Sequence, residues 1–113
     1  MSGIAIAPGR EAMPQAVPQR IAALERANRV RLARAELKRR VAAGTLAAPD
    51  VIRATPWEAT RMPVAELLTS QRRWGTERSR RCLGGLLIPE NKHIGTLTDR
   101  QREVLAAALE TGG

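Results

Sequence analysis

Aromatic residues are almost missing from this 113-residue chain: it has no phenylalanine, no tyrosine, and tryptophan only at Trp57 and Trp74. A core is therefore expected to be aliphatic, filled by Leu, Val, Ile, Ala and Met. A single cysteine, Cys82, excludes an intrachain disulfide, and nothing points to an oxidising compartment. No apolar run approaches the roughly 18 residues that would suggest a membrane span. The opening residues Met1 to Pro8 combine neither a charged start nor a long apolar stretch, so no secretory leader is expected. The expected location is the cytosol, with no membrane partner. Catalytic side chains are scarce too. One His, one Cys and no cluster of carboxylates leave little with which to build a nucleophile, an acid–base pair or a metal site. The chain is not expected to be an enzyme or to need a cofactor.

Lysine is also rare, at Lys38 and Lys92 only, yet Lys and Arg together number 19 against 11 acidic residues. The net charge is +8 and the pI about 11.5. Almost all of this charge is guanidinium, a planar fork of donors that matches phosphate oxygens and is less strongly hydrated than an ammonium. A small protein with this bias usually has a polyanionic partner, and nucleic acid is the commonest. A genome rich in GC also writes Lys codons as Arg, so charge indicates the partner's class and no more.

Along the chain, residues 1–17 hold Gly3, Pro8, Gly9 and Pro14 without periodicity and read as a flexible arm. Residues 18–113 read as one helical domain. Pro18 suits the first turn of a long helix that Gly44 would stop. Ile21, Leu24, Leu32 and Ala35 fall on one side of it, and Val30, Leu37 and Val41 on another. Pro49 opens a short helical piece. Thr55-Pro56-Trp57-Glu58 has the form of a capping box. Another piece begins at Pro63, with Val64, Leu67 and Leu68 inward. Thr76 is placed to cap a helix burying Ser79, Cys82, Leu83, Leu86 and Leu87. Thr98-Asp99-Arg100-Gln101 forms a second capping box before a last helix, whose Val104, Leu105, Ala108 and Leu109 face inward. No strand pattern competes, and the fold class is all-α: one long N-terminal helix followed by a compact bundle of short helices.

Chemistry concentrates in the segment from Leu67 to Arg78, laid out as helix, tight turn, helix. A turn ending at Gly75 lets backbone N–H groups approach a phosphate with no Cβ in the way. The following helix start adds free N–H groups and the positive end of a dipole. Arg72, Arg73 and Arg78 surround that point, so one phosphate could meet backbone donors and guanidinium groups together. Phosphate contacts position a protein on DNA without reading its sequence.

Several stretches resemble the actinobacterial integration host factor family, the small monomeric nucleoid proteins of mycobacteria and streptomycetes. They are Ala23-Leu24-Glu25-Arg26-Ala27, Arg34-Ala35-Glu36-Leu37-Lys38, Arg61-Met62-Pro63-Val64 leading into Leu67-Leu68, and Asp99-Arg100-Gln101-Arg102. The likeness runs from about Arg20 to Leu109. It implies a long helix and a helical body with a helix-two-turn-helix or helix-hairpin-helix-like DNA-binding element. It also implies double-stranded DNA as partner with little sequence preference, bending or compaction of that DNA, and help to a phage integrase. A monomer in solution and a nucleoid location follow from the same likeness. The chain departs from the family where Leu-Pro-Gly-Val-Gly or Leu-Pro-Lys-Val-Gly is usual: it reads Gln71-Arg72-Arg73-Trp74-Gly75. The usually Arg-rich loop before the last helix reads Glu90-Asn91-Lys92-His93-Ile94-Gly95. These departures suggest a divergent copy, or one carried by a mobile element.

The residues expected to meet DNA are Arg72, Arg73, Trp74, Gly75, Thr76 and Arg78 at the turn, Lys92 and His93 in the later loop, and Arg31, Arg34 and Lys38 on the long helix. Trp74 reads either as a core plug in place of the family's Val or as a wedge in the minor groove. Trp57 and Cys82 read as core, and His93 as a solvated loop residue or a group whose protonation tightens binding. The competing function is a protein-interaction adaptor of a mobile element or phage, its basic helix docking on a host nucleoid, transcription or ribosomal partner.

Overall fold

The computed structural model describes residues 8–112, with side chains from Val17 onward. Among these residues it is all-helical: α1 (Pro8–Ala43), α2 (Ala48–Ala54), α3 (Val64–Ser70), α4 (Thr76–Gly85) and α5 (Asp99–Glu110), with short 3-10 turns at Trp57–Ala59 and Ile94–Thr96. The helix start expected at Pro18 moves to Pro8. Proline is favoured at the first helical position, and Pro8 occupies it, leaving Pro14 and Pro18 inside the helix. Residues 1–7 of the expected arm lie outside the described residues.

The chain divides into two compact units, Met1–Leu32 and Ala33–Gly113. In the first, Val17, Ile21, Leu24 and Leu32 are all exposed, and no described side chain of this unit belongs to the core. In the second, Leu37 and Val41 on the last turns of α1 are buried with Val51 and Ile52 of α2, Val64, Leu67 and Leu68 of α3, Cys82 and Leu83 of α4, and Leu105 and Leu109 of α5. The core is mainly aliphatic, with Met62 and Cys82 in it and Trp74 packed against it. Helix α2 packs on α5, and α3 on α4.

The ends of the helices show which local signals govern. Thr98 Oγ1 accepts from Gln101 N at 3.1 Å and Gln101 Oε1 accepts from Thr98 N at 3.0 Å, so the capping box of α5 is formed in full. The box expected at Thr55 is not. Thr55 lies at φ 45 as the left-handed C-cap of α2, where its N–H bonds the carbonyl of Val51, and Pro56 precedes the 3-10 turn. Trp57, expected in the core, is 62% exposed. Leu87, expected on the buried face of α4, is 86% exposed at φ 59. Helix α4 ends at Gly85, and Leu87 takes the left-handed position that turns the chain back so that Ile88 N reaches Leu83 O at 2.9 Å. That places Ile88 in the core.

Two devices hold the connections. Between Thr60–Ala65 and Glu90–Gly95 the backbones run side by side: Val64 N bonds Lys92 O at 2.9 Å, Ile94 N bonds Met62 O at 2.9 Å, and Gly95 N bonds Thr60 O at 2.9 Å. A Cβ on Gly95 would lie 2.8 Å from Thr60 O, so only glycine permits this approach. The second device is Arg102, whose guanidinium donates to the carbonyls of Ile52 at 2.7 Å and of Ile94 and Leu97 at 3.2 Å each, and to the Thr55 hydroxyl. One side chain thus ties the last turn of α2 to two carbonyls of the connection between α4 and α5.

Candidate nucleic-acid interface

Helix α3 closes at Gln71, and Trp74 N bonds Gln71 O at 3.1 Å, which makes Gln71–Trp74 a tight turn. Arg73, third in the turn, sits at φ 70. A turn with a left-handed third residue favours Pro second and Gly third, and Arg72-Arg73 occupies those places. The chain therefore accepts a backbone cost of about 1–2 kcal/mol for a non-glycine residue in this conformation. Arg72 and Arg73 are both exposed and form no ion pair or hydrogen bond among the described residues.

Gly75, at φ −98, is the N-cap of α4, and no side chain caps it. Thr76, expected as the cap, is the first residue of the helix instead, because the extended residue that starts the ladder is Gly75: Ser79 N bonds Gly75 O at 3.1 Å. The N–H groups of the first turn therefore have no intrahelical acceptor. A Cβ built on Gly75 would meet nothing within 4 Å. That leaves an open, positively polarised helix end beside two unpaired guanidinium groups, the arrangement that favours an anion. Glu77, exposed in the same turn, opposes this in part and lies 3.7 Å from Arg80.

Arg78 is placed differently from the other turn cations. Its guanidinium lies over the Trp74 ring, 4.3 Å from the centroid, and donates to the carbonyl of Gly112. Trp74 itself is half-buried and packed against the core. Of the two readings of this residue, the core plug matches its position. Cys82 is buried in the turn of α4 that follows Arg78. Burial pushes its thiol up, and Arg78 draws it part of the way back.

The long-helix cations separate by unit. In the first, Arg31 is exposed and donates to Asn28 Oδ1 at 2.5 Å. In the second, Arg34 and Lys38 both reach the Glu66 carboxylate on α3, at 3.3 Å and 3.0 Å. These two expected DNA contacts are occupied by an internal acid.

Lys92 and His93 lie on the backbone clasp, where His93 bridges Pro63. The same clasp brings Arg61, exposed and unpaired among the described residues, alongside them, a cation that sequence reasoning left out of the site. Its neighbours stand some thirty residues further along the chain, and no local spacing announces that. The clasp cations and the Arg72–Arg73 pair stand at opposite ends of α3, about 10 Å apart by helix rise. Among the described residues no group of His, Cys, Asp and Glu could hold a metal ion, and no helix is long and apolar enough to cross a membrane.

The fold has a counterpart among solved structures. A chain described as "Structure of sIHF bound to an 8bp palindromic DNA" superposes with a TM-score of 0.66 at 28% sequence identity, covering 78% of this chain and 97% of that one. Neither a family model nor a curated protein sequence matches the chain.

Proposed function

We propose that this protein is an integration host factor-like, nucleoid-associated protein that binds double-stranded DNA through its phosphate backbone with little sequence preference. The observation that carries this reading is the superposition, over 78% of this chain, on a chain solved with bound DNA. The unpaired Arg72–Arg73 turn at the open N-terminus of α4 supplies a site for the contact. Arg78 acts there by holding Trp74 and the turn, while Lys92, His93 and Arg61 offer a second group of donors on the clasp. Backbone contacts at both ends of α3 would let the protein bend or compact DNA and assist a phage integrase in site-specific recombination. It works as an architectural component without catalysis, in the nucleoid.

Gel shifts on unrelated duplexes test this. Neutralising about five phosphates makes affinity fall roughly 500-fold when salt rises fourfold, since each phosphate contributes about 0.9 to the log–log slope. Replacing Arg72 and Arg73 by Ala should make that slope shallower by about two units, with all duplexes affected alike. A flat salt response, or an unchanged slope in the double variant, counts against the reading and favours a protein-interaction adaptor.

A further inference from the structure

Val17, Ile21, Leu24, Asn28 and Leu32 succeed one another on α1 at steps of four, three, four and four residues. At 3.6 residues per turn they fall within an arc of about 80° on one side of the helix. The apolar four are exposed, Ile21 by 50%, Leu24 by 64% and Leu32 by 60%. One edge of this stripe carries Arg20 and the other carries Glu25, while Arg31 stands at the seam step after Asn28, with Leu32 beside it. An apolar stripe left open in water on a well-formed helix marks an interaction surface.

We infer that this stripe is a self-recognition surface, on which a second copy of the chain lays the same stripe in parallel to form a short two-stranded coiled coil. The charges on its two edges select that occupant. In a parallel pair each edge meets the opposite edge of the partner, so Arg20 faces Glu25 of the second copy, five positions on, the spacing that links flanking residues across such a seam. An antiparallel pair would set the arginine edge against its own twin. Ile21 and Leu24 take the two apolar seam positions. Asn28 takes the next one, where a single buried Asn fixes register and two-strandedness because each amide finds its partner's. The stripe is about 24 Å long, well short of a standard interface, so pairing is weak and sets in only at high protein concentration. At lower concentration the chain is a monomer. This inference stands apart from DNA binding and is tested without it.

Sedimentation equilibrium of the full chain in high salt, where the like net charges are screened, should show reversible dimers. Leu24→Glu should abolish them while leaving the circular dichroism spectrum unchanged. At low salt, where exposed ion pairs are least screened, Arg20→Glu and Glu25→Arg should each weaken pairing about fivefold, two ion pairs being lost per dimer, and the double exchange should restore it. With Cys82 replaced by Ser, Ile21→Cys should cross-link to itself on mild oxidation, since a parallel register sets identical residues opposite each other. A chain that stays monomeric throughout, or Leu24→Glu dimers as strong as the parent's, would overturn the surface. Dimers without the Ile21→Cys cross-link would overturn the parallel seam.

Discussion

At Arg73 the backbone lies at φ 70 in a turn position suited to glycine, and the side chain is an unpaired guanidinium beside an open helix end. Fold and binding therefore pull in opposite directions here. Arg73→Gly should raise stability by up to about 1 kcal/mol, strain relief exceeding the extra entropy of the unfolded glycine. The same change should weaken DNA binding by about 1 kcal/mol, as expected for a lost charge-assisted contact. Urea unfolding and gel shifts on one variant read both signs, and a loss of stability would mean the turn does not carry the strain. Arg102 is the contrary case, a cation whose work is internal. Arg102→Ala leaves the Leu97 carbonyl without its donor, and the Ile52 and Ile94 carbonyls with only the Thr55 hydroxyl and the Leu97 N–H, which should cost about 2–3 kcal/mol. Calorimetry should then show a melting temperature lower by about 10 °C or more. Neither role follows from residue type: both residues are arginines in a chain full of them.

Between elements, the Glu66 carboxylate of α3 holds two cations of α1, and this makes the helix pair electrically quieter than its composition. Glu66→Gln removes the acid with little change of shape. It should cost under about 1 kcal/mol of stability, since part-exposed ion pairs contribute little. It should raise DNA affinity about three- to tenfold by releasing Arg34 and Lys38. Unchanged affinity in filter binding would remove those two residues from the interface. The same scale shows what could be read in the sequence. Helix α5 was legible because its signal is local, Thr98 and Gln101 standing three apart and bonding each other. The start of α1 was misplaced because three prolines competed for one first-turn preference and the earliest took it. Leu87 was misread because a helical face was extended past the point where the chain reverses, although Gly84 and Gly85 stand just before it. Arg102 and Ile52 lie fifty positions apart, and Arg61 meets the Lys92 loop only through the clasp, so neither pairing has a local pattern to announce it.

Across the described residues, every buried apolar side chain lies at or beyond Leu37. Up to Leu32, the described part of α1 places no side chain in the core, and Pro14 and Pro18 each remove a rung of its ladder. Helices with no packed face gain little beyond propensity and nucleate at a cost. The two parts of α1 should therefore keep different clocks. In deuterated solvent, the amides of residues 19–32 should exchange quickly, opening one short stretch at a time, while those near Leu37 and Val41 should exchange slowly, by far larger openings. Protection rising sharply along one unbroken helix would be the visible boundary between a part held by its own backbone and a part held by everything it packs against.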